Sequence, residues 1–239
     1  MRYAIISDIH ANLEAFRSVL EEINGSEVGR VICLGDIVGY GANPNECVEI
    51  IRSRGISSLL GNHDAAACGL SEPLDFNPVA RDAVLWTRDE LTGENREFLA
   101  SLPEKELIDG FTIVHGSPSD PYKYILSSYD AAPEFELLEG KSLCFFGHTH
   151  VSVCYSLYEG RIAETRAGAF RLRRGAKYLV NPGSVGQPRD RDPRASFLIY
   201  DDRGYVEFRR VEYFIEGAQK KIIESGLNRF LAERLSQGY

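Results

Sequence analysis

The sequence predicts an α/β fold, and two patterns carry that prediction. Short apolar segments alternate with helical segments over the first 60 residues, and strands that are apolar on both faces are typical of parallel strands covered by helices. Five apolar segments also run into Asp, Asn or His, near residues 6, 34, 60, 114 and 146. Because open α/β sheets bind ligands beyond the carboxyl ends of their strands, these five ends predict one shared site.

The first unit is predicted to alternate strand and helix. Apolar residues recur at helical spacing over residues 13–23, which predicts an amphipathic helix that ends at 24–26. Asn43 and Pro44 predict the start of a second helix, because Asn is a favoured N-cap and Pro is tolerated at the first helical position. A third strand is expected over residues 56–60.

Residues 69–77 predict a loop, since they are polar and are interrupted by Pro73. This loop directly follows candidate site residues, so both a lid over the site and a plain connector fit the sequence. Helices are expected to begin at Pro78 and to cover residues 94–101.

Strands dominate from residue 105 onwards, with one helix near residues 132–138. Their short lengths and close spacing predict a second, largely antiparallel sheet. Residues 214–235 have a helical pattern with a break at 225–226. The sequence contains no internal repeat and no linker, so we expect residues 1–239 to form a single domain.

Composition places the chain among ordinary globular proteins, with 44% hydrophobic and 26% charged residues. No segment reaches the roughly 18 apolar residues of a membrane span, and the N-terminus passes directly into a strand without a signal region. The five cysteines are an odd number and form no C-x-x-C pair. Free thiols in a reducing cytoplasm are therefore the expectation.

The net charge of −8 argues against broad binding to nucleic acid. The charge is unevenly distributed, because residues 161–194 contain nine Lys or Arg against three Asp or Glu, a local charge of 9 − 3 = +6. Such a segment could steer a phosphate-bearing substrate, or it could be the solvated face of a few strands. The sequence leaves both interpretations open.

All five histidines directly follow apolar segments, beside Gly, Asp or another His. They are His10, His63, His115, His148 and His150. A set of Asp, Asn and His without cysteine suits Mn, Fe, Zn, Co or Ni, and it argues against Mg²⁺ alone. Each residue alone has an ordinary explanation: Asp8 or Asp36 as a helix N-cap, His115 as a core residue, Asn62 as a turn residue with positive φ.

Five short blocks, in this order, resemble those of the calcineurin-like metallophosphoesterase superfamily. The blocks are Asp8-Ile9-His10, Gly35-Asp36, Gly61-Asn62-His63-Asp64, His115 and Gly147-His148-Thr149-His150. Each block arises easily by chance, but all five in order are specific, and they cover residues 8–150. The resemblance implies a four-layer αββα sandwich, in which two mixed β-sheets are flanked by helices.

The resemblance also implies roles for nine residues. The first metal would be held by Asp8, His10 and His150, the second by Asn62, His115 and His148, and Asp36 would bridge the two. His63 would act as general acid or stabilise the leaving group, and Asp64 would orient its ring. The implied cofactors are two divalent metal ions, with Mn as the first choice and Fe, Zn, Ni or Co as alternatives. Two metals ~3.5–4 Å apart can activate a water between them for in-line attack on phosphorus.

Two features narrow the subfamily. Tyr40 stands where serine/threonine protein phosphatases and their diadenosine-tetraphosphatase relatives carry an arginine, which removes a bidentate phosphate donor. Residues 181–186, Asn-Pro-Gly-Ser-Val-Gly, resemble a segment of small bacterial and archaeal phosphodiesterases. This segment could bring backbone N–H groups near the site or simply form a turn. Arg189, Arg191 and Arg194 are the candidates to replace the missing arginine.

The leading functional hypothesis is a metal-dependent phosphodiesterase acting on a small phosphate ester, with nucleotides among the candidates. The alternatives are a phosphomonoesterase or phosphatase of the same superfamily, and a non-catalytic scaffold. A retromer subunit that resembles these enzymes has lost the catalytic histidine, whereas His63 is present here, which favours an enzyme. Residues 39–43 and 69–77 are the loops expected to select the substrate. No membrane partner is expected, and the oligomeric state is not predicted.

Overall fold

Two six-stranded mixed β-sheets with helices on their outer faces form this protein, whose computed structural model describes residues 1–138 and 140–239. The strands are β1 (Arg2–Ile6), β2 (Arg30–Cys33), β3 (Ser57–Ser58), β4 (Lys105–Ile108), β5 (Phe111–Val114), β6 (Leu143–Phe145), β7 (Ser152–Tyr158), β8 (Arg161–Thr165), β9 (Ala169–Arg171), β10 (Lys177–Pro182), β11 (Ala195–Asp201) and β12 (Tyr205–Val211). The helices are α1 (Leu13–Asn24), α2 (Pro44–Ser53), α3 (Asn62–Cys68), α4 (Pro78–Glu90), α5 (Gly93–Ala100), α6 (Ser128–Glu134), α7 (Ile215–Glu224) and α8 (Arg229–Glu233). Two 3₁₀ turns cover Phe135–Leu138 and Arg234–Gln237.

The first sheet has the order β3-β2-β1-β11-β12-β9, in which β3, β2 and β1 are parallel and the other pairs are antiparallel. The second has the order β4-β5-β6-β10-β7-β8, with β5, β6 and β10 parallel. The predicted fold class, two mixed sheets flanked by helices, is thus confirmed.

The strands after residue 105 are divided between the two sheets, which corrects one expectation from the sequence. The sequence assigned the strands after residue 105 to the second sheet, but β9, β11 and β12 complete the first. Strand β1 has β2 on one side only, and the wholly buried β11 pairs with its other side, with Ala4 opposite Ile199. Strand pattern shows which residues are buried but not which edge a strand joins, so this pairing was not readable from the sequence.

Successive residues of a strand point to opposite faces of its sheet and so pack in different hydrophobic layers. In β1, Tyr3 and Ile5 face the core between the two sheets, whereas Ala4 and Ile6 face the core under α1 and α2. The outer face of the second sheet packs on α6 and the adjacent 3₁₀ turn. A further cluster joins α7 and α8 to α4 and to Tyr40, so the C-terminal segment lies beside the loop that follows β2.

Several local predictions match the structure. Asn77 caps α4 by accepting a hydrogen bond from the Ala80 N–H at 3.0 Å, and a break separates α7 from α8. The third strand is shorter than expected, because only Ser57–Ser58 pairs with β2. Within the described ranges 1–138 and 140–239, no helix combines the length and apolar character needed to cross a bilayer.

Candidate metal centre

The carboxyl ends of strands from both sheets meet at one edge of the sandwich. Asp8 and His10 follow β1, Asp36 follows β2, and Asn62, His63 and Asp64 form the first turn of α3, soon after β3. His115 follows β5 of the second sheet, and His148 and His150 follow β6. Of these nine residues all but the half-buried Asn62 are buried. The parallel pairs β1–β2 and β5–β6 therefore deliver most of the site.

The backbone is left-handed at five of these residues. The φ values are 54° at Asp8, 50° at His10, 53° at Asp36, 67° at His148 and 61° at His150. A left-handed conformation costs roughly 1–2 kcal/mol for a residue that carries a Cβ atom. Such strain tends to collect where a functional side chain must be aimed. Asn62 is an exception: it begins α3 with ordinary helical backbone, so the alternative of a positive-φ turn residue does not apply to it.

One group of side chains that could hold a metal ion contains Asp8, His10, Asp36 and His150, whose ligand atoms all lie within 4.8 Å of one another. His150 Nε2 is 3.4 Å from Asp8 Oδ1, and His10 Nε2 is 3.6 Å from Asp36 Oδ2. The two imidazoles face each other with their Nε2 atoms 3.0 Å apart. All four side chains belong to loops that follow β1, β2 and β6.

The hydrogen bonds of the two imidazoles fix which nitrogen is free. Nδ1 of His10 donates to the Val38 carbonyl at 3.1 Å, and Nδ1 of His150 donates to the Gln187 carbonyl at 2.7 Å. In a neutral ring the other nitrogen then carries a lone pair, so two lone pairs face each other across 3.0 Å. That arrangement is repulsive unless a cation lies between the nitrogens. The geometry therefore fits a metal ion, and the backbone carbonyls orient both rings.

A second group that could hold a metal contains Asp36, His115 and His148, again within 4.8 Å. His115 Nε2 lies 3.4 Å from Asp36 Oδ2 and 3.2 Å from Asn62 Oδ1. Nδ1 of His115 donates to the Leu34 carbonyl at 2.9 Å, the same arrangement as in the first group. Asn62 thus brings a neutral oxygen to this group.

Asp36 is common to both groups. Its Oδ1 accepts a hydrogen bond from the backbone N–H of His63 at 2.9 Å. Its Oδ2 is buried and has no hydrogen-bond partner, although His10 Nε2 and His115 Nε2 lie within 3.6 Å and 3.4 Å. A buried carboxylate oxygen without a partner is costly, and cations bound to it would remove that cost. This oxygen is the second feature that fits metal binding.

Four of the five histidines are neutral at neutral pH. Burial lowers the pKa of His63 to about 4 and that of His148 to about 3. Burial also holds the pKa values of His10 and His150 well below 6.5. Because a metal binds the neutral imidazole, these rings are in the form that a ligand requires.

His115 and Asp36 form an ion pair without metal. Burial alone would lower the pKa of His115, but the negative charge of Asp36, 3.4 Å away, raises the value to about 9. Burial likewise opposes ionisation of Asp36, yet the positive charge of His115 keeps its pKa well below the ordinary range. Burial raises the pKa of Asp8. A cation bound between these groups would replace the His115 proton, so metal binding should release protons.

The His63 ring is held by packing. Its centroid lies 4.4 Å from Tyr40, 4.7 Å from Phe76 and 4.9 Å from His10. Its Nδ1 is buried without a hydrogen-bond partner. That nitrogen lies against Gly39, where a Cβ atom would come within 2.5 Å of it, and the φ of Gly39 is +92°. Gly39 thus covers Nδ1, and Nε2 is the other ring nitrogen.

The Asp64 carboxylate accepts hydrogen bonds from backbone N–H groups. Its Oδ2 accepts from the Gly61 N–H at 3.1 Å and its Oδ1 accepts from the Val38 N–H at 3.0 Å. These bonds tie the start of α3 to the loop that follows Asp36. Since the carboxylate makes no hydrogen bond to His63 Nδ1, any influence on the ring passes through the backbone.

The segment 181–186 supports the loops that carry candidate ligands. The Asn181 side-chain amide donates to the Gly147 carbonyl at 2.6 Å, next to His148. The Ser184 hydroxyl and the Gly186 N–H both donate to the Asp8 carbonyl, at 2.7 Å and 3.0 Å. The sequence left open a backbone donor near the site and a simple turn; the Gly186 N–H does lie near the site, but it is used in a hydrogen bond to the loop that carries Asp8.

Two aromatic residues that sequence reasoning did not select complete the surroundings of the site. Phe76 belongs to the loop 69–77 and packs on His63, so this loop borders the site. Tyr124 stacks on the His148 ring, with centroids 3.9 Å apart and planes inclined by 20°, and it is 46% exposed. Tyr124 lies in a loop between β5 and α6 that has no sequence pattern, and no residue-level signal could have found it.

Among the three candidate arginines, Arg189 is the one that reaches the site. Its Nη2 lies 3.4 Å from the Tyr40 hydroxyl, and its charge contributes, after burial, to the lowered pKa of His63 and of His150. The Arg194 guanidinium is instead paired with Asp192 at 2.7 Å.

Comparisons with known proteins agree with this architecture. A family model described as the calcineurin-like phosphoesterase superfamily domain matches residues 1–203. The uncharacterized protein MJ0912 of Methanocaldococcus jannaschii is 43% identical over 243 residues, covering 98% of this chain and 97% of that protein. A solved metallophosphoesterase from Sphaerobacter thermophilus is 42% identical with a TM-score of 0.87, covering 100% and 99% of the two chains. The hypothetical protein PH1004 from Pyrococcus horikoshii shares the fold, with 21% identity, a TM-score of 0.84 and coverage of 100% and 98%.

Proposed function

The chain belongs to the calcineurin-like phosphoesterase superfamily, and from this premise we propose that it is a phosphodiesterase with a dinuclear metal centre. The observation that carries the proposal is the Asp36 carboxylate, which is shared by two groups of candidate ligands and has one buried oxygen without a hydrogen bond. A carboxylate placed in this way can bridge two cations.

In this proposal the first metal is held by Asp8, His10 and His150, the second by Asn62, His115 and His148, and Asp36 is shared. Two bound divalent ions would supply Lewis-acid activation of water and of the phosphoryl group. Manganese is the first choice because nitrogen and oxygen donors without thiolate suit it, and Fe, Zn, Ni and Co suit the same set.

His63 is the proposed proton donor to the leaving group. Its Nδ1 is buried against Gly39, so Nε2 is free to contact the leaving oxygen. The pKa of about 4 belongs to the protein without substrate. A bound phosphate anion raises the pKa of a nearby imidazole, and a proton held there is then available to the departing alkoxide. Asp64 supports this role by fixing the backbone on both sides of the ring.

The aromatic surroundings favour a diester over a monoester. Phe76 packs on His63 and the partly exposed Tyr124 packs on His148, so apolar surface lies at two places beside the site. A phosphodiester has two organic groups to place there, whereas a monoester has one. The substrate class we propose is a small phosphodiester, with nucleotides among the candidates, and phosphomonoester hydrolysis is the alternative.

We also propose that residues 1–239 form a single domain, since α7 and α8, which follow the matched residues 1–203, pack against α4 and Tyr40. The cytoplasm is the proposed location, which is compatible with five free cysteines.

The test is hydrolysis of bis-p-nitrophenyl phosphate beside p-nitrophenyl phosphate by protein that has been stripped and reloaded with Mn²⁺, Ni²⁺, Zn²⁺ or Mg²⁺. Metal content is counted in every sample. Turnover of the diester by protein containing two metals per chain is the expected result. Turnover of the monoester alone would replace the proposal with a phosphomonoesterase. No turnover of either ester by protein with two metals would contradict an esterase and favour a scaffold.

A further inference from the structure

The backbone of Arg189 hydrogen-bonds to the loop that carries His150, and its side chain hydrogen-bonds to two uncharged side chains. Its backbone N–H donates to the His150 carbonyl at 3.1 Å, so Arg189 lies against the loop that carries His150. Its Nη2 donates to Gln187 Oε1 at 3.0 Å and to the Tyr40 hydroxyl at 3.4 Å, and its guanidinium carbon lies 5.8 Å from the Tyr40 ring centre. Its Nε is buried and has no partner among the described residues.

The arginines nearby are neutralised in a different way. Arg194 binds both carboxylate oxygens of Asp192, and Arg210 binds Asp190. The recorded side-chain partners of Arg189 are a phenol and an amide, both without charge. A partly buried guanidinium with an unused N–H and neutral partners is costly unless an anion completes it.

A second arginine belongs to the C-terminal segment that packs beside Tyr40. Arg234, in the 3₁₀ turn after α8, packs over the Phe230 ring at 5.4 Å and donates to the Tyr239 carbonyl. Burial and the charge of Arg189 lower the pKa of Arg234 to about 10. The turn is held in place by Leu231 and Leu235, which pack in the same cluster as Tyr40. Like charges disfavour each other's charged form, and an anion bound by Arg189 would reduce that repulsion.

We propose that Arg189, assisted by Arg234, binds the phosphate group of the substrate and of the product beside the candidate metal centre. This inference rests on the proposed function. Nη1 of Arg189 makes no hydrogen bond among the described residues, and in this proposal it donates to a non-bridging phosphate oxygen while Nη2 stays bound to Gln187 and Tyr40. Arg189 thereby replaces the arginine that protein phosphatases carry at the position of Tyr40, and Tyr40 orients it by contact with its Nη2.

The test measures binding of inorganic phosphate to the metal-loaded protein by isothermal titration calorimetry, with metal content counted for each variant. Arg189→Gln should weaken phosphate binding about 10- to 100-fold, as expected for loss of hydrogen bonds to a charged group. Arg189→Lys should recover part of that affinity because the charge returns without the planar guanidinium that the Gln187 and Tyr40 contacts orient. Arg234→Gln should weaken binding by about 3- to 10-fold, and both metals should be retained in all variants.

The matched control is Arg229→Gln, since Arg229 lies on α8, is 81% exposed and is paired with Glu233. It should bind phosphate as the wild type does. Unchanged phosphate affinity in Arg189→Gln with full metal content would overturn the proposal. Loss of metal in both Arg189 variants would also overturn it, because Arg189 would then support the His150 loop. Wild-type protein that binds phosphate through Arg189 yet hydrolyses neither nitrophenyl ester would refute the proposed function alone.

Discussion

The floor of the site and its rim are built in opposite ways. The floor consists of Asp8, His10, Asp36, Asn62, His63, Asp64, His115, His148 and His150, and the rim consists of Phe76, Tyr124, Arg189 and Arg234. Floor residues follow sheet strands, are mostly buried, and include five with left-handed backbone. Rim residues come from loops and a C-terminal turn, and three of the four contact aromatic side chains of the floor or of Tyr40. The floor is therefore suited to hold metals, and the rim is free to select what they act on.

The largest effect on metal binding should come from Asp36, which belongs to both groups of candidate ligands. Asp36→Asn removes a negative charge next to His10 and His115, so both metals should bind more weakly. We expect a loss above ~100-fold in metal affinity, beyond that seen for residues that only support ligands. Metal content after dialysis and diester turnover measure this. The control is Asp82→Asn on the exposed face of α4. Two tightly bound metals with normal turnover would remove Asp36 from its bridging role.

His63→Ala separates chemistry from metal binding within the floor. The ring belongs to neither group of candidate ligands and packs between Tyr40 and Phe76. Turnover of the diester should fall by ~10²–10⁴-fold, as for loss of general acid catalysis, with both metals retained. His63→Gln, which keeps more of the side-chain volume, should behave in the same way. Metal loss in both variants would make His63 a ligand instead.

That the floor residues lie together could be predicted from the sequence, and so could the candidate Arg189 and the loop that contains Phe76, but Tyr124 and Arg234 could not, for physical reasons. Metal-ligand residue types that directly follow buried strands, such as Asp36 after β2, must lie at the carboxyl edge of the sheet. Tyr124 reaches His148, and the segment of Arg234 reaches Tyr40, only through the folding of distant parts of the chain, and no local pattern marks either residue. The pairing of β11 with β1 was unreadable for the same reason, since burial does not name a partner. The sequence marks residues 181–186 as a motif, but it does not show that they hydrogen-bond to the loops that carry Asp8 and His148.

Tyr124, one of the rim residues, should affect only the second group of candidate ligands, which contains His148. Tyr124→Leu removes the ring that stacks on His148 but leaves Asp8, His10 and His150 untouched. Aromatic stacking contributes about 0.5–1.5 kcal/mol, so the second metal should bind about 2- to 10-fold more weakly while the first is unaffected. A metal titration that resolves two steps measures this. Tyr129→Leu, at a site that is 87% exposed, is the control. Equal weakening of both steps would contradict the assignment of His148 to a separate second site.

The loop that presents Tyr124 is anchored by one buried carboxylate. Glu134 accepts hydrogen bonds from the backbone N–H of Ser119 at 3.0 Å, from the Ser119 hydroxyl at 2.7 Å and from Lys123 Nζ at 2.7 Å. Burial by itself would raise the pKa of Glu134, but the Lys123 and Ser119 hydrogen bonds outweigh it, and the pKa lies below its ordinary value. The ionised form of Glu134 is therefore favoured in the folded protein.

The smallest expected effect is on stability and depends on pH. Because the folded-state pKa of Glu134 is depressed, its contribution is full above the unfolded pKa of about 4.3 and is lost as pH falls through the folded pKa. Glu134→Gln should lower the free energy of unfolding by about 1 kcal/mol at pH 7, a modest value because Lys123 is 42% exposed. Denaturant titrations at pH 7 and below pH 4 should show this difference shrinking, whereas the exposed Glu136→Gln should show none. A difference that stays constant with pH would mean that Glu134 stabilises the loop by packing and not by its charge.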